Sequence, residues 1–237
     1  MQSILLVLGL GLSMMALERA RPARRFERVA GWWPRALALT AVQGAVALLA
    51  IQACDRWLPG LALWRAGGYG VLADALLGYL VLTFVYYWWH RARHEVPLLW
   101  RWLHQLHHSA CRIELVTSFY KHPAEIVANA LVSSLLIYVL LGLSPESAAI
   151  VLTVSGLAEL FYHWNVRTPY WLGFLVQRPE SHCVHHQRGR HTGNFADLPL
   201  WDMLFGTFHN PRRAPRKCGF GADIEQRFPE LLLGRIK

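Results

Sequence analysis

The chain is 237 residues long, 54% apolar and only 16% charged, with a formal net charge of +9. A soluble domain carries about 25% charged residues, so this deficit, with a mean hydropathy of +0.24, excludes an ordinary water-soluble domain and points to a membrane bundle. The basic residues lie between the apolar runs and in the C-terminal third, which fits the positive-inside bias of membrane proteins better than nucleic-acid binding, so no nucleic-acid partner is expected.

The first apolar run, Ile4 to Leu17, has no basic residue before it and Arg19, Arg21, Arg24, Arg25 and Arg28 after it. A secretory signal carries its charge in front, so this segment reads as a retained first span with its N-terminus outside. The second run is Ala36 to Cys54 and the third Val71 to Trp89, whose closing Tyr86, Tyr87, Trp88 and Trp89 form an interfacial aromatic belt. Ile126 to Leu143 and Pro145 to Tyr162 follow, with only Ser144 between them. Ser144-Pro145-Glu146 reads as an N-cap, a first-turn proline and an early acid, so the two runs predict a tight helical hairpin. Beyond His163 the chain is polar and basic, broken by Gly206, Pro211, Pro215 and Gly219. The reading is therefore all-α: an integral membrane bundle of four to five spanning or re-entrant helices under a cytosolic, histidine-rich cap. Residues 1–68 form N-terminal helices and loops, 69–210 the core and 211–237 a basic tail.

Eight of the twelve histidines fall into three tight clusters, His90-x3-His94, His104-x2-His107-His108 and His182-x2-His185-His186. Helical positions i, i+3 and i+4 share a face, so each cluster aims its imidazoles one way. His163, at the end of an apolar run, is a ninth candidate. Zinc sites take about four ligands, so nine imidazoles suit two metal ions with four or five nitrogens each. If the Arg-rich loop 18–35 is cytosolic, counting spans puts all nine on the cytosolic side. A ligand histidine donates its other ring nitrogen to a carboxylate or carbonyl. Glu159 lies four residues before His163 inside a span, and Glu125, Asn194, Asp197 and Asp202 are further candidates for that role. Asp74 is roughly 24 Å along the helix from His90 and is expected to pair locally or reach the headgroups. His122 is a candidate helix cap or site residue, His191 follows the third cluster, and His209 reads as a surface residue. Cys54, Cys111, Cys183 and Cys218 form no CxxC pair and read as reduced structural thiols, although Cys183 sits inside the third cluster. Arg212, Arg213, Arg216 and Lys217 suit anionic headgroups or an acidic electron donor.

The clusters also carry a resemblance. His90-Arg91-Ala92-Arg93-His94, Leu103-His104-Gln105-Leu106-His107-His108-Ser109 and Ser181-His182-Cys183-Val184-His185-His186 resemble the eight-histidine signature of the fatty acid hydroxylase/sterol desaturase superfamily. Lys121-His122-Pro123-Ala124-Glu125, Phe161-Tyr162-His163-Trp164-Asn165, Asn194-Phe195-Ala196-Asp197 and Trp201-Asp202-Met203-Leu204-Phe205-Gly206-Thr207 extend it over roughly residues 75–210. The resemblance implies a membrane-bound non-haem diiron oxygenase with His90, His94, His104, His107, His108, His163, His182, His185 and His186 as metal ligands. It implies two iron ions, with zinc as a substitute in a purified sample, and O2 as cosubstrate. Hydroxylation of a lipid C–H bond is the expected reaction, with desaturation on the same centre or a zinc-dependent membrane hydrolase as alternatives. No GxGxxG loop, CxxCH haem site or ferredoxin-type cysteine series occurs, so the electrons are expected from a separate electron-transfer protein and the substrate from the bilayer, in a bacterial inner membrane or the endoplasmic reticulum.

Overall fold

The computed structural model describes residues 2–58, 61–64 and 68–236, with the side chains of residues 2–8 and 54–57 outside the description. Cys54 is among these, so the reading of its thiol lies outside the described residues. The elements in order are α1 (Gln2–Ala20), α2 (Trp32–Trp57), α3 (Val71–Glu95), α4 (Pro97–Leu99), α5 (Gln105–Ser109), α6 (Pro123–Ser134), α7 (Pro145–His163), α8 (Pro179–His185), α9 (Pro199–Leu204), α10 (Ala222–Glu225) and α11 (Phe228–Leu232). Among the described residues there is no strand, only an isolated antiparallel bridge between Gln187 and Cys218.

Among the described residues, three helices are long and apolar enough to cross a membrane: Trp32–Ala53, Val71–Glu95 and Pro123–Leu140. The expected count of four to five is thus met by length and composition for three. α1 and α7, each of 19 residues, stand outside that set, and α7 carries Glu146 and Glu159 in its length. The third span does not stop at Trp89 but stays helical to Glu95, because no breaker falls before Pro97. His90 and His94 therefore ride on the end of a rigid helix. The fourth run starts at Pro123, where the His122 ring accepts from the Ala124 amide and proline fills the first turn. It changes to π-helix at Leu135–Leu140. α7 begins as read from sequence, with the Ser144 hydroxyl accepting from the Ser147 amide at 3.2 Å and Pro145 and Glu146 in its first turn.

α3 packs along α7, α2 along α6, and α1 against α7. Gly78 makes the α3–α7 approach feasible, because a Cβ there would lie 2.6 Å from Leu143 Cδ1 and 3.1 Å from Val151 Cγ2. Ala75, Leu82, Ile137, Leu141 and Val151 fill this part of the core. A second core joins Trp32, Ala36 and Leu39 of α2 to Leu106, Tyr120, Leu231 and Ile236. The N-terminal helices also reach the core through polar bonds. Glu18 accepts from the Leu115 and Asn165 amides at 2.9 and 2.8 Å, and Trp32 Nε1 donates to Glu114 at 2.7 Å. Arg24, in the Arg-rich loop, donates to the Ile113 carbonyl at 3.2 Å, so this loop lies on the same side as the histidine clusters. Asp74 is satisfied locally by the Gly68 and Tyr69 amides at 3.3 and 3.4 Å.

Candidate metal centre

The three clusters and His163 come from four separate stretches. His90 and His94 occupy the last turns of α3. A π-turn, Trp100–His104, precedes α5. Such a local irregularity recurs at functional sites. His163 is the last residue of α7, while His182 and His185 lie on α8 with His186 as its C-cap. The rings meet in two groups. His90, His94, His104, His108 and His185 form one, and His107, His163, His182 and His186 the other, each with its facing ring nitrogens within 4.8 Å of one another. The rings of His108 and His186 stack at 4.1 Å between the groups.

The facing atoms are mostly Nε2. His90 and His104 approach at 2.9 Å, His182 and His163 at 3.0 Å, His186 and His182 at 3.0 Å, and His163 and His107 at 3.4 Å. Two imidazole nitrogens about 2.1 Å from one ion are about 3.0–3.4 Å apart in octahedral or tetrahedral arrangement. These spacings therefore fit a shared cation. The inward Nε2 atoms of His94, His108 and His185 have no hydrogen-bond partner although buried, and a buried polar atom without a partner costs about 1–3 kcal/mol.

The outward nitrogens explain the orientation. Nδ1 of His90 donates to the Phe195 carbonyl at 2.7 Å, His107 to Tyr120 at 3.2 Å, His163 to Glu159 at 2.9 Å and His185 to Gly193 at 2.7 Å. A carbonyl can only accept, so each ring holds its proton on Nδ1 and turns an Nε2 lone pair inward. Burial pushes His104, His107, His108, His182 and His186 well below the ordinary imidazole value, and His185 down to about 3. All are neutral near pH 7, the form that binds metal.

Beside the rings runs a cavity of about 380 Å³, walled by α2, α3, α6 and α7. Val46, Ala50, Leu82, Ile126, Ile137 and Leu152 supply apolar wall. His90, His104, His107, His163 and His182 stand at one part of the lining.

The family model for fatty acid hydroxylase matches residues 75–207. The chain belongs to the fatty acid hydroxylase family. Among curated relatives of this family member are alkylglycerol monooxygenase of Homo sapiens, 34% identical over 134 residues, which cover 55% of this chain and 29% of that one. Ornithine lipid hydroxylase OlsE of Rhizobium tropici is 33% identical over 145 residues, 59% of this chain and 43% of the relative. Sphingolipid C4-hydroxylase sur2 of Schizosaccharomyces pombe is 29% identical over 130 residues, 53% and 44% of the two chains. The chain thus spans less than half the length of these relatives. No solved structure matches it.

The carboxylates of this fatty acid hydroxylase family member divide. Glu125 is fully buried and accepts from Arg93 and, at 2.8 Å, from His104 Nδ1, so it orients a candidate ligand. Glu159 does not place its carboxylate on His163. It is the backbone carbonyl of Glu159 that His163 meets, because a residue four back on a helix offers its carbonyl to a C-terminal side chain, and the Glu159 carboxylate pairs with Lys121 instead. Asp202 touches no histidine. It accepts from the Phe195 and Ala196 amides at 2.8 and 3.0 Å and from the Thr207 hydroxyl at 2.7 Å, and so fixes the loop whose Phe195 carbonyl holds His90. Asn194, with φ +52°, donates to Ser181 and His209 carbonyls at 2.8 Å each and braces the same loop. Asp197 lines the cavity and meets the Ser155 hydroxyl at 3.4 Å. Burial, with Glu159 near, pushes its carboxyl up to about 7.

Among the remaining histidines, His122 caps α6 and bonds the Leu232 carbonyl at 3.0 Å, and it belongs to neither group. His209 is half-buried and meets Arg190 at 2.5 Å. His191 lies outside both groups, yet its Nδ1 is 3.0 Å from that of His108. Cys183 turns away from the rings into a small cluster with Ile113 and Cys218. Cys111, Cys183 and Cys218 are free thiols. Sequence reasoning missed the buried Arg93, whose place between His90 and His94 was the available signal, and the Lys121–Glu159 pair. The carbonyls of Tyr120, Gly193 and Phe195 carry no side-chain signal to find.

Proposed function

We propose that this protein is a membrane-bound non-haem diiron oxygenase that hydroxylates a C–H bond of a lipid, using O2 and two electrons from a separate electron-transfer protein. The observation that carries the reading is the meeting of nine neutral imidazoles, seven buried and two half-buried, in groups of five and four beside a largely apolar cavity walled by membrane-type helices. His90, His94, His104, His108 and His185 would hold one iron ion, and His107, His163, His182 and His186 the other. Two iron ions bound there supply the redox chemistry that activates O2.

The chain's own residues do the rest. The carbonyl and Glu125 acceptors hold five of the nine rings, those of His90, His104, His107, His163 and His185, in orientation for loading. The cavity walls hold a lipid carbon beside the ring cluster and keep water out. Its boundary by α2, α3 and α6, all candidate spans, supports entry of the lipid from the bilayer. The contact of Arg24 with Ile113 supports a cytosolic site under the positive-inside bias. Hydroxylation is favoured over desaturation because the relatives include a monooxygenase and two hydroxylases by name. The test is lipid mass spectrometry of cells expressing the protein under ¹⁸O2. One labelled oxygen atom gained by a lipid, and lost with His107→Ala or His185→Ala, is the expected result. Product formed without oxygen incorporation refutes it.

A further inference from the structure

Away from the histidines, the chain exposes a second apolar surface on elements that are too short to cross a membrane. The 3-10 turn Tyr170–Phe174 packs against α9. Between them Trp171, Phe174, Leu175, Leu200, Met203 and Leu204 are exposed, Trp171 by 61% and Leu204 by 63%. The only charged residue of α9, Asp202, is turned inward. Contiguous patches of this kind mark an interaction or membrane surface.

What covers it follows from where α9 sits. Trp201 Nε1 donates to Thr83 Oγ1 at 3.0 Å, and its ring lies 5.0 Å from that of Phe84. The Phe205 ring, just beyond α9, lies 4.9 Å from that of Trp88. Thr83, Phe84 and Trp88 belong to the candidate span Val71–Glu95, and Thr83 is roughly 18 Å past its start. Phe84 and Trp88 are themselves exposed, so the patch continues the outward face of a membrane helix. Its edge is basic. Arg167, Arg212 and Arg213 are exposed, and the Arg212 guanidinium stacks 4.8 Å from the Tyr170 ring. Aromatic rings and arginines together are the composition of the headgroup layer.

We propose that the turn Tyr170–Phe174 and α9 form a ledge immersed in the lipid interface beside α3, with Arg167, Arg212 and Arg213 holding anionic headgroups along its edge. The ledge ties the loop 193–197 to the membrane, because α9 carries the Asp202 carboxylate that grips it.

The test uses the full chain in nanodiscs, in a Cys54→Ser background, with nitroxide labels at Trp171→Cys and Leu204→Cys. Leu76→Cys on α3 is the lipid reference and Arg227→Cys the aqueous one. Collision with O2 exceeding collision with a water-soluble nickel chelate at both positions, as at Leu76, is the expected result. Nickel access equal to that at Arg227 overturns the proposal, and is the result expected were this face kept for a soluble protein partner. A second measurement reads the basic edge. Spin-labelled phosphatidylglycerol should be immobilised by the protein in preference to phosphatidylcholine, and the preference should be lost in Arg167→Gln/Arg212→Gln/Arg213→Gln. No preference in the unsubstituted protein overturns the headgroup assignment.

Discussion

Glu125 joins two roles that substitution can separate. It is fully buried between Arg93, whose side chain is 5% exposed, and His104 Nδ1 at 2.8 Å. Removing one member of a buried ion pair strands the other, at about 3–5 kcal/mol. Glu125→Ala therefore destabilises the bundle by that amount, and it also frees His104 to rotate or change tautomer. Loss of such an acceptor costs about 10–100-fold in metal affinity, or about 1.4–2.7 kcal/mol. Replacing both partners with apolar groups of similar size, Arg93→Met/Glu125→Leu, removes the stranded charge, and such replacements are often neutral or stabilising. The double variant should recover thermal stability while keeping the weakened iron affinity. The assay is a thermal melt in detergent beside iron retention in a chelator titration. Unchanged iron affinity in the double variant would refute the role of Glu125 as the partner of His104. A stable Glu125→Ala protein would refute the buried pair.

Asp202→Ala releases two loop amides and a hydroxyl from a carboxylate. It should cost on the order of 3 kcal/mol and lower iron content through His90, with Asp202→Asn partly restoring both in the same melt and metal analysis. Gly156 lines the cavity and has open space around a built Cβ. Gly156→Phe should therefore cut turnover severalfold or more while leaving iron content unchanged; equal losses of both would place the effect on the metal groups instead. The His185 imidazole is near 3 in the folded chain and about 6.5 unfolded. The unfolded chain then binds more protons between those values, so the stability of chelator-stripped protein should rise with pH from about 3 to about 6.5 and level off above. Denaturant melts across pH 4–8 read this slope, and stability falling as pH rises through that window would refute the buried neutral state.

Much of the site was legible because its register is local. His90 and His94, His104 and His108, and His182 and His186 are i, i+4 pairs, and each pair stays together in one group. The i+3 members, His107 and His185, cross to the opposite group. Spacing had each cluster aiming its imidazoles one way and could not assign histidines to groups, since that division depends on how α3, α5, α7 and α8 cross. The ring orientations were less legible. Four of them rest on backbone carbonyls of loops that tertiary packing positions. Glu159 shows the same limit, because helical spacing correctly joined it to His163 but could not tell carbonyl from carboxylate while Lys121 competed for the latter. The helices were read in order, with ends shifted by caps and by the missing breaker after Trp89. The short α9 escaped notice because six residues leave too little periodicity to read, and its apolar face makes sense only beside α3.

Whether nine imidazoles hold a pair of ions is answered by titrating iron(II) anaerobically into chelator-stripped protein and counting the bound metal by Mössbauer spectroscopy. Two ions per chain in nitrogen-rich environments are expected, with His186→Ala and His94→Ala each weakening a different one. A single ion, or two ions lost together with either variant, would contradict the division into separate groups of five and four.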